Sequence, residues 1–232
     1  MQEKPNQVPL WRQLQGAASI LMAVRDGQSM TAALTDVDAA LRPGVQALSF
    51  HALRWLGRAE ALRQQLANRP PPPEADALLC VALALSWSDT GNEIGAQFSD
   101  RPPLGKSATL ASSPVREATG VGAMYTSHTL VDQAVEAAKR SEATTHQANF
   151  INGCLRRFLR EREALVAKTD ANPQAVWNHP LWWIDRLRKD YPQDWQAILR
   201  ANNARASLIL RVNERKTTLA QYLSALDAMN IV

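Results

Sequence analysis

A mainly α fold is expected for this chain of 232 residues. Three observations point to it. Apolar residues recur with a helical period over most of the length. Proline, glycine and capping residues cut that pattern into helix-sized segments. One short stretch near the C-terminus, 207–213, alternates as a strand does. Hydrophobic residues make up 46% and charged residues 21% of the chain, a balance that supports a buried core and a charged surface.

Residues 1–8 read as a tail. Leu10, Leu14, Ala17, Ala18, Leu21 and Val24 then form one stripe at i, i+4, i+7, i+8, i+11 and i+14, with Gly27 as a C-cap. Ser29 opens a second helix that carries Met30, Ala33, Leu34, Val37 and Leu41. Pro43 and Gly44 break it and start a third, with Val45, Leu48, Ala52, Trp55 and Leu56 on one face. A fourth runs from about Arg58 to Ala67. The four prolines Pro70–Pro73 form a stiff spacer. Ala75 to Trp87 is almost wholly apolar and predicts a central, buried helix.

Residues 89–123 hold five of the ten glycines and three prolines without helical period, and read as a mobile inserted loop. Helices are expected from Thr126 to Arg140, from about Ala143 to Val166, at Leu181–Asp190 and at Asp194–Asn203. Ser207–Asn213 reads as a strand, followed by a Thr218/Gln221 capping box and a helix over Leu219–Met229. A single strand has no ladder partner, so the sequence predicts that the second unit is cut short.

Several classes are excluded. The longest apolar stretch, about ten residues, falls far below the roughly 20 needed to span a bilayer. The N-terminus lacks the charged start and apolar run of a secretory signal. Cys80 and Cys154 are the only cysteines, and His51, His128, His146 and His179 are scattered, so neither a disulfide framework nor a metal site is expected. Both cysteines read as core packing, and a cytoplasmic home is the simplest. Asp100–Ser107 has a Lys-Ser pair but lacks the first glycine and the preceding strand of a phosphate loop. No Gly-x-Ser-x-Gly elbow occurs, and the Asp36/Asp38 pair faces solvent, so no catalytic residue is assigned.

Charge is distributed unevenly. The whole chain is +4, yet residues 150–216 carry thirteen lysines and arginines against seven acidic residues. The surplus points to a polyanion partner. Within it, Ile151, Cys154, Leu155, Phe158 and Leu159 form the buried face of a helix. Asn149, Asn152, Gly153, Arg156, Arg157 and Arg160 take the other side. Arginine forks one turn apart suit phosphates. The plainer alternative is a solvated basic face paired with Glu161 and Glu163. A glycine inside a helix costs about 1 kcal/mol relative to alanine, so close approach of another backbone is expected at Gly153. Trp177, Trp182, Trp183 and Trp195 lie near Arg186, Arg188 and Lys189. They either stack on unpaired bases or, as is favoured, anchor a helical connector on its neighbour.

The run Phe150-Ile151-Asn152-Gly153-Cys154-Leu155-Arg156 closely resembles a late-helix segment of NusB-like all-helical domains. Residues 11–27 look like the first helix of those domains, and Ala47–Arg54 resembles another of their segments. Further on, His179-Pro180-Leu181-Trp182-Trp183, Trp195, Ala201-Asn202-Asn203 and Leu210-Arg211-Val212-Asn213 are similar to the connector of bacterial small-subunit rRNA cytosine-5 methyltransferases of the RsmB/Sun/Fmu family. The resemblance implies a NusB-like RNA-binding domain over 9–168, a helical connector over 172–205, and the start of a further α/β domain over 206–232. It implies small-subunit rRNA as partner, with Arg156, Arg157 and Arg160 as contacts and Arg12 and Arg54 as further candidates. S-adenosylmethionine and the cysteine that attacks cytosine belong to a catalytic half outside this sequence. Alone, the chain is then expected neither to bind the methyl donor nor to turn over. Departures are the 89–123 insertion, Ser86-Trp87 ending the central helix, and Phe50-His51 where small residues are usual. The resemblance leaves two alternatives: a stand-alone NusB-like antitermination module, and a degenerate gene product that scaffolds.

Overall fold

A computed structural model describes residues 8–87, 125–204 and 210–228. The expected loop over 89–123, with the rejected phosphate-loop run inside it, lies outside the described residues. Among those described, the regular structure is helical: α1 Leu10–Arg25, α2 Met30–Thr35, α3 Arg42–Arg54, α4 Leu56–Leu66, α5 Pro73–Ser86, α6 Ser127–Lys139, α7 Ala148–Thr169, α8 Pro173–Trp177, α9 Leu181–Asp190, α10 Trp195–Asn203 and α11 Leu219–Ala228. The mainly α expectation holds.

The organising element is α5. Pro73 starts it where a missing N–H costs nothing, and every residue from Ala75 to Ser86 is buried. Helices α1, α3, α4, α6 and α7 pack around it. Their apolar stripes supply Leu14, Leu21, Leu48, Leu62, Leu130, Ile151, Leu155 and Phe158 to one continuous core. Cys80 and Cys154 are buried there. Close helix crossings need small residues. At Gly16 a Cβ would lie 2.5 Å from a Val45 methyl, so its absence lets α1 and α3 approach.

The buried charged groups of this core are ion-paired. Asp76, in the first turn of α5, takes Arg25 Nη1 at 2.9 Å and lies 2.9 Å from Arg63 Nε, the latter contact lacking hydrogen-bond angles. Arg25 Nη2 also reaches Glu60 Oε1 at 2.8 Å. The helix N-terminus and the two guanidiniums together hold the carboxylate in a largely buried position. Burial pulls the Arg25 pKa down, but Glu60, Cys80 and Asp76 more than offset this and raise it.

Helix ends account for the differences from expectation. The second helix was expected to reach Leu41 and stops at Thr35. Asp38 Oδ1 accepts from the Ala40 N–H at 2.9 Å, and Arg42 donates to the Thr35 and Val37 carbonyls. These local bonds compete with the helix and end it early. Helix α8 was not foreseen: five residues between Pro173 and Asn178, capped by the Asn172 side chain on the Gln174 N–H. It packs on α4, where Gly57 leaves room for the Gln174 carbonyl and Asn178 Oδ1 accepts from the Arg58 N–H at 2.9 Å. The expected strand 207–213 is partly outside the described residues. Its described part, Leu210–Asn213, forms no ladder, in keeping with the absence of a partner strand among the described residues. The Thr218/Gln221 capping box forms as expected, with Gln221 N–H on Thr218 Oγ1 at 3.3 Å and Thr218 N–H on Gln221 Oε1 at 3.2 Å.

Candidate nucleic-acid interface

Helix α7 packs on α4, α5 and α6, and that contact decides which way its side chains face. Ala148, Ile151, Cys154, Leu155 and Phe158 are buried. On the opposite side Asn149, Gly153, Arg156 and Arg160 are exposed, with Asn152 and Arg157 half-buried beside them. The split is the one the spacing predicts.

The three arginines of this face are lightly held. Arg156 Nε donates to Asn152 Oδ1 at 2.9 Å, one turn back. Arg157 Nε pairs with Glu161 Oε2 at 3.1 Å, both side chains more than two-fifths exposed. An exposed i, i+4 pair of this kind contributes only about 0.3–0.5 kcal/mol, so a phosphate can displace it. Arg160 has no hydrogen bond or ion pair among the described residues. Each guanidinium carries five donors in a planar fork, and at most one in each is committed.

Arg162, two residues on, does different work. Glu161 leaves helical geometry (φ −113°, ψ 19°) without a proline or glycine nearby, so α7 is kinked there. Beyond the kink, Arg162 donates from Nη2 to the Ser86 carbonyl at 2.6 Å and from Nε to the Trp87 carbonyl at 3.1 Å. It therefore caps the C-terminus of α5, where carbonyls lack helical partners and a cation is favoured. Burial pulls its pKa down.

Arg12 and Arg54 are not on this face. Arg12 is exposed on α1 and has no ion pair among the described residues. Arg54 ends α3, half-buried, and its charge acts on His51. The five arginines therefore occupy three helices, α1, α3 and α7. Another expectation is corrected here. No backbone closes on Gly153: among the described residues nothing lies within 4 Å of the position a Cβ would take.

With this geometry in place, comparison with known proteins is informative. Residues 179–232 match the RsmF/B-like methyltransferase family's ferredoxin-like domain. Over 93% of the chain and 42% of the relative's own length, it is 28% identical to ribosomal RNA small subunit methyltransferase B of Pasteurella multocida. The same-named protein of Vibrio cholerae is 27% identical over 93% of the chain and 44% of its own length. A stretch of 104 residues is 40% identical to a probable methyltransferase B of Coxiella burnetii, covering 45% of the chain and 24% of that protein. Along most of its length the chain is thus similar to proteins of the RsmB/Sun/Fmu family. It spans less than half the length of these relatives.

The ferredoxin-like match begins at His179, so α9 and α10 fall inside it rather than before it. Three of the four clustered tryptophans build a small core with α9 and α10, Trp177 from just before the match. Trp177 and Trp195 meet edge-on at 5.0 Å and pack, with Trp183, around Ile184, Leu187 and Leu199. Trp182 differs, being 69% exposed. The join to the helical body runs through α8, which ends in Trp177 and packs on α4, and just before it Arg58 Nη1 holds Thr169 Oγ1 and Asp170 Oδ1, each at 2.6 Å.

The described residues do not fit a methyl donor. They include neither a strand nor a glycine-rich turn leading from one into a helix. One cleft, between α1, α5 and the α6–α7 turn, about 330 Å³, is open and lined by Gln15, Ser19, Met22, Glu74, Arg140 and Thr144 among others. Nor do the thiols fit a nucleophile. Burial, with Asp76 nearby, pushes Cys80 up to about 12, and burial raises Cys154 as well. Among the described residues no group of His, Cys, Asp and Glu could hold a metal. No described helix is long and apolar enough to cross a membrane. The exposed guanidiniums of α7 suit anions. Sequence reasoning missed the stacking of Arg140 over Trp11, 4.6 Å from the ring centroid, because the two are far apart in the chain.

Proposed function

We propose that this chain is the RNA-recognising region of a small-subunit rRNA cytosine-5 methyltransferase. Its helical body is NusB-like and binds the rRNA through α7. Methyl transfer from S-adenosylmethionine belongs to the part of the relatives that the chain does not cover. The cytoplasm, where ribosomal RNA is made in bacteria, is its place of action. The observation that carries this reading is the exposed face of α7, where Arg156, Arg157 and Arg160 stand within little more than one turn and, among the described residues, only Arg157 is ion-paired. The similarity to small-subunit methyltransferases B along 93% of the chain supports the choice of partner.

The physics of such a contact is electrostatic. Each phosphate neutralised releases condensed counterions, so affinity falls as salt rises. The test is a salt titration of binding to transcribed small-subunit rRNA. Replacing Arg156 and Arg160 together by alanine is expected to weaken binding at least tenfold at low salt. It should also reduce the log–log salt slope by about 2, one per lost contact. An unchanged slope and affinity contradict the assignment.

A further inference from the structure

Glycine within a helix weakens it unless its lack of a side chain is used. Two helical glycines here show that use. A Cβ at Gly16 would meet Val45 at 2.5 Å, and one at Gly57 would meet the Gln174 carbonyl oxygen at 2.3 Å. Gly153 shows none. It sits mid-helix in α7, is exposed, and has no positive φ. Among the described residues no atom lies within 4 Å of its missing Cβ. No contact described within the chain therefore offsets its cost.

The gap is set among phosphate-seeking groups. Asn149 lies one turn before it, Arg156 and Arg157 one turn after, and Arg160 beyond them, all on the same side. A side chain at 153 would hold a strand off the helix at the point where it must come close for the flanking guanidiniums to reach it. We propose that a sugar–phosphate strand of RNA lies directly on the α7 backbone at Gly153, between Asn149 and the arginines. The inference rests on the RNA-binding reading above and adds the line along which the strand crosses. Charge selects the occupant: planar forks on one flank fit phosphate oxygens, and asparagine amides on the other fit phosphate or ribose.

The proposal separates stability from binding, which a merely structural glycine cannot do. Gly153→Ala and Gly153→Leu are made in the full chain, and rRNA affinity and thermal midpoint are measured at one fixed salt. Gly153→Ala is expected to raise Tm by about 2–4 °C, the effect of about 1 kcal/mol in a chain of this size. Its affinity for transcribed small-subunit rRNA should fall about fivefold, and that of Gly153→Leu further. A fall in Tm for Gly153→Ala overturns the proposal, because an internal contact then explains the glycine. Unchanged affinity in both variants, while Arg156→Ala with Arg160→Ala still binds weakly, also overturns it and leaves the RNA reading standing. The gap would then serve another occupant, such as an acidic protein segment. If the arginine pair is silent too, the RNA reading itself fails.

Discussion

His51 shows how one side chain ties this fold to pH. Its Nε2–H donates to the Ala84 carbonyl at 3.1 Å, joining α3 to the last turn of α5. Burial lowers its pKa below the ordinary 6.5; the carbonyl bond partly opposes this, and the Arg54 charge adds to the lowering. In the unfolded chain the imidazole takes up a proton near pH 6.5, while in the fold it resists until lower pH. Between those values the unfolded state binds more protons, so stability declines as pH falls through 6.5. Thermal melts from about pH 8 to about pH 5.5 should show a steeper loss for the native chain than for His51→Gln, which keeps a donor but does not titrate. Equal slopes contradict the assignment. Residues of one type also divide their work here in ways that spacing alone does not reveal. Arg156 and Arg160 were legible as an exposed pair because the apolar face of α7 is fully determined by its period. Arg162 was not, since its role depends on a kink at Glu161 and on carbonyls at Ser86 and Trp87, more than 70 positions away.

At the scale of elements, most helices were readable, the short α9, α10 and α11 included, and the exceptions were the end of α2 and the five-residue α8. The boundaries of α1, α5 and α6 followed from periodic stripes closed by proline and by the Thr126 cap, whose hydroxyl accepts from the Thr129 N–H. The early end of α2 and the existence of α8 depend on side-chain bonds from Asp38, Arg42 and Asn172, which compete with helix at a cost no pattern expresses. Gly57 is the hinge of the α4–α8 contact. A methyl at that position meets backbone rather than a movable side chain, so Gly57→Ala should destabilise the chain by about 1–3 kcal/mol. Urea unfolding measures it, with a lowered midpoint expected and an unchanged one arguing that α8 is not seated on α4. The strand expected over 207–213 reflects a real alternation in the sequence, but alternation specifies a sheet only where a partner strand exists to receive its hydrogen bonds.

For the whole molecule, a buried central helix fixes the directions of those around it, and so turns one face of α7 outward. The concentration of positive charge after residue 150 is a property of the sequence; its presentation as an exposed row on α7 is a property of the fold. Arg12 and Arg54 lie on α1 and α3, as the helical spacing already places them, and only Arg156, Arg157 and Arg160 share one helix. The central claim is that α7 meets RNA, and photo-cross-linking tests it most directly. A photoreactive side chain at Asn149, exposed on the arginine face of α7, is irradiated with transcribed small-subunit rRNA, and the same group at His128, exposed on α6, serves as the comparison. Strong cross-links from position 149 that disappear in high salt, with few from position 128, are the predicted result. Equal yields from both positions, or none from 149 while the RNA remains bound, would place the interface elsewhere.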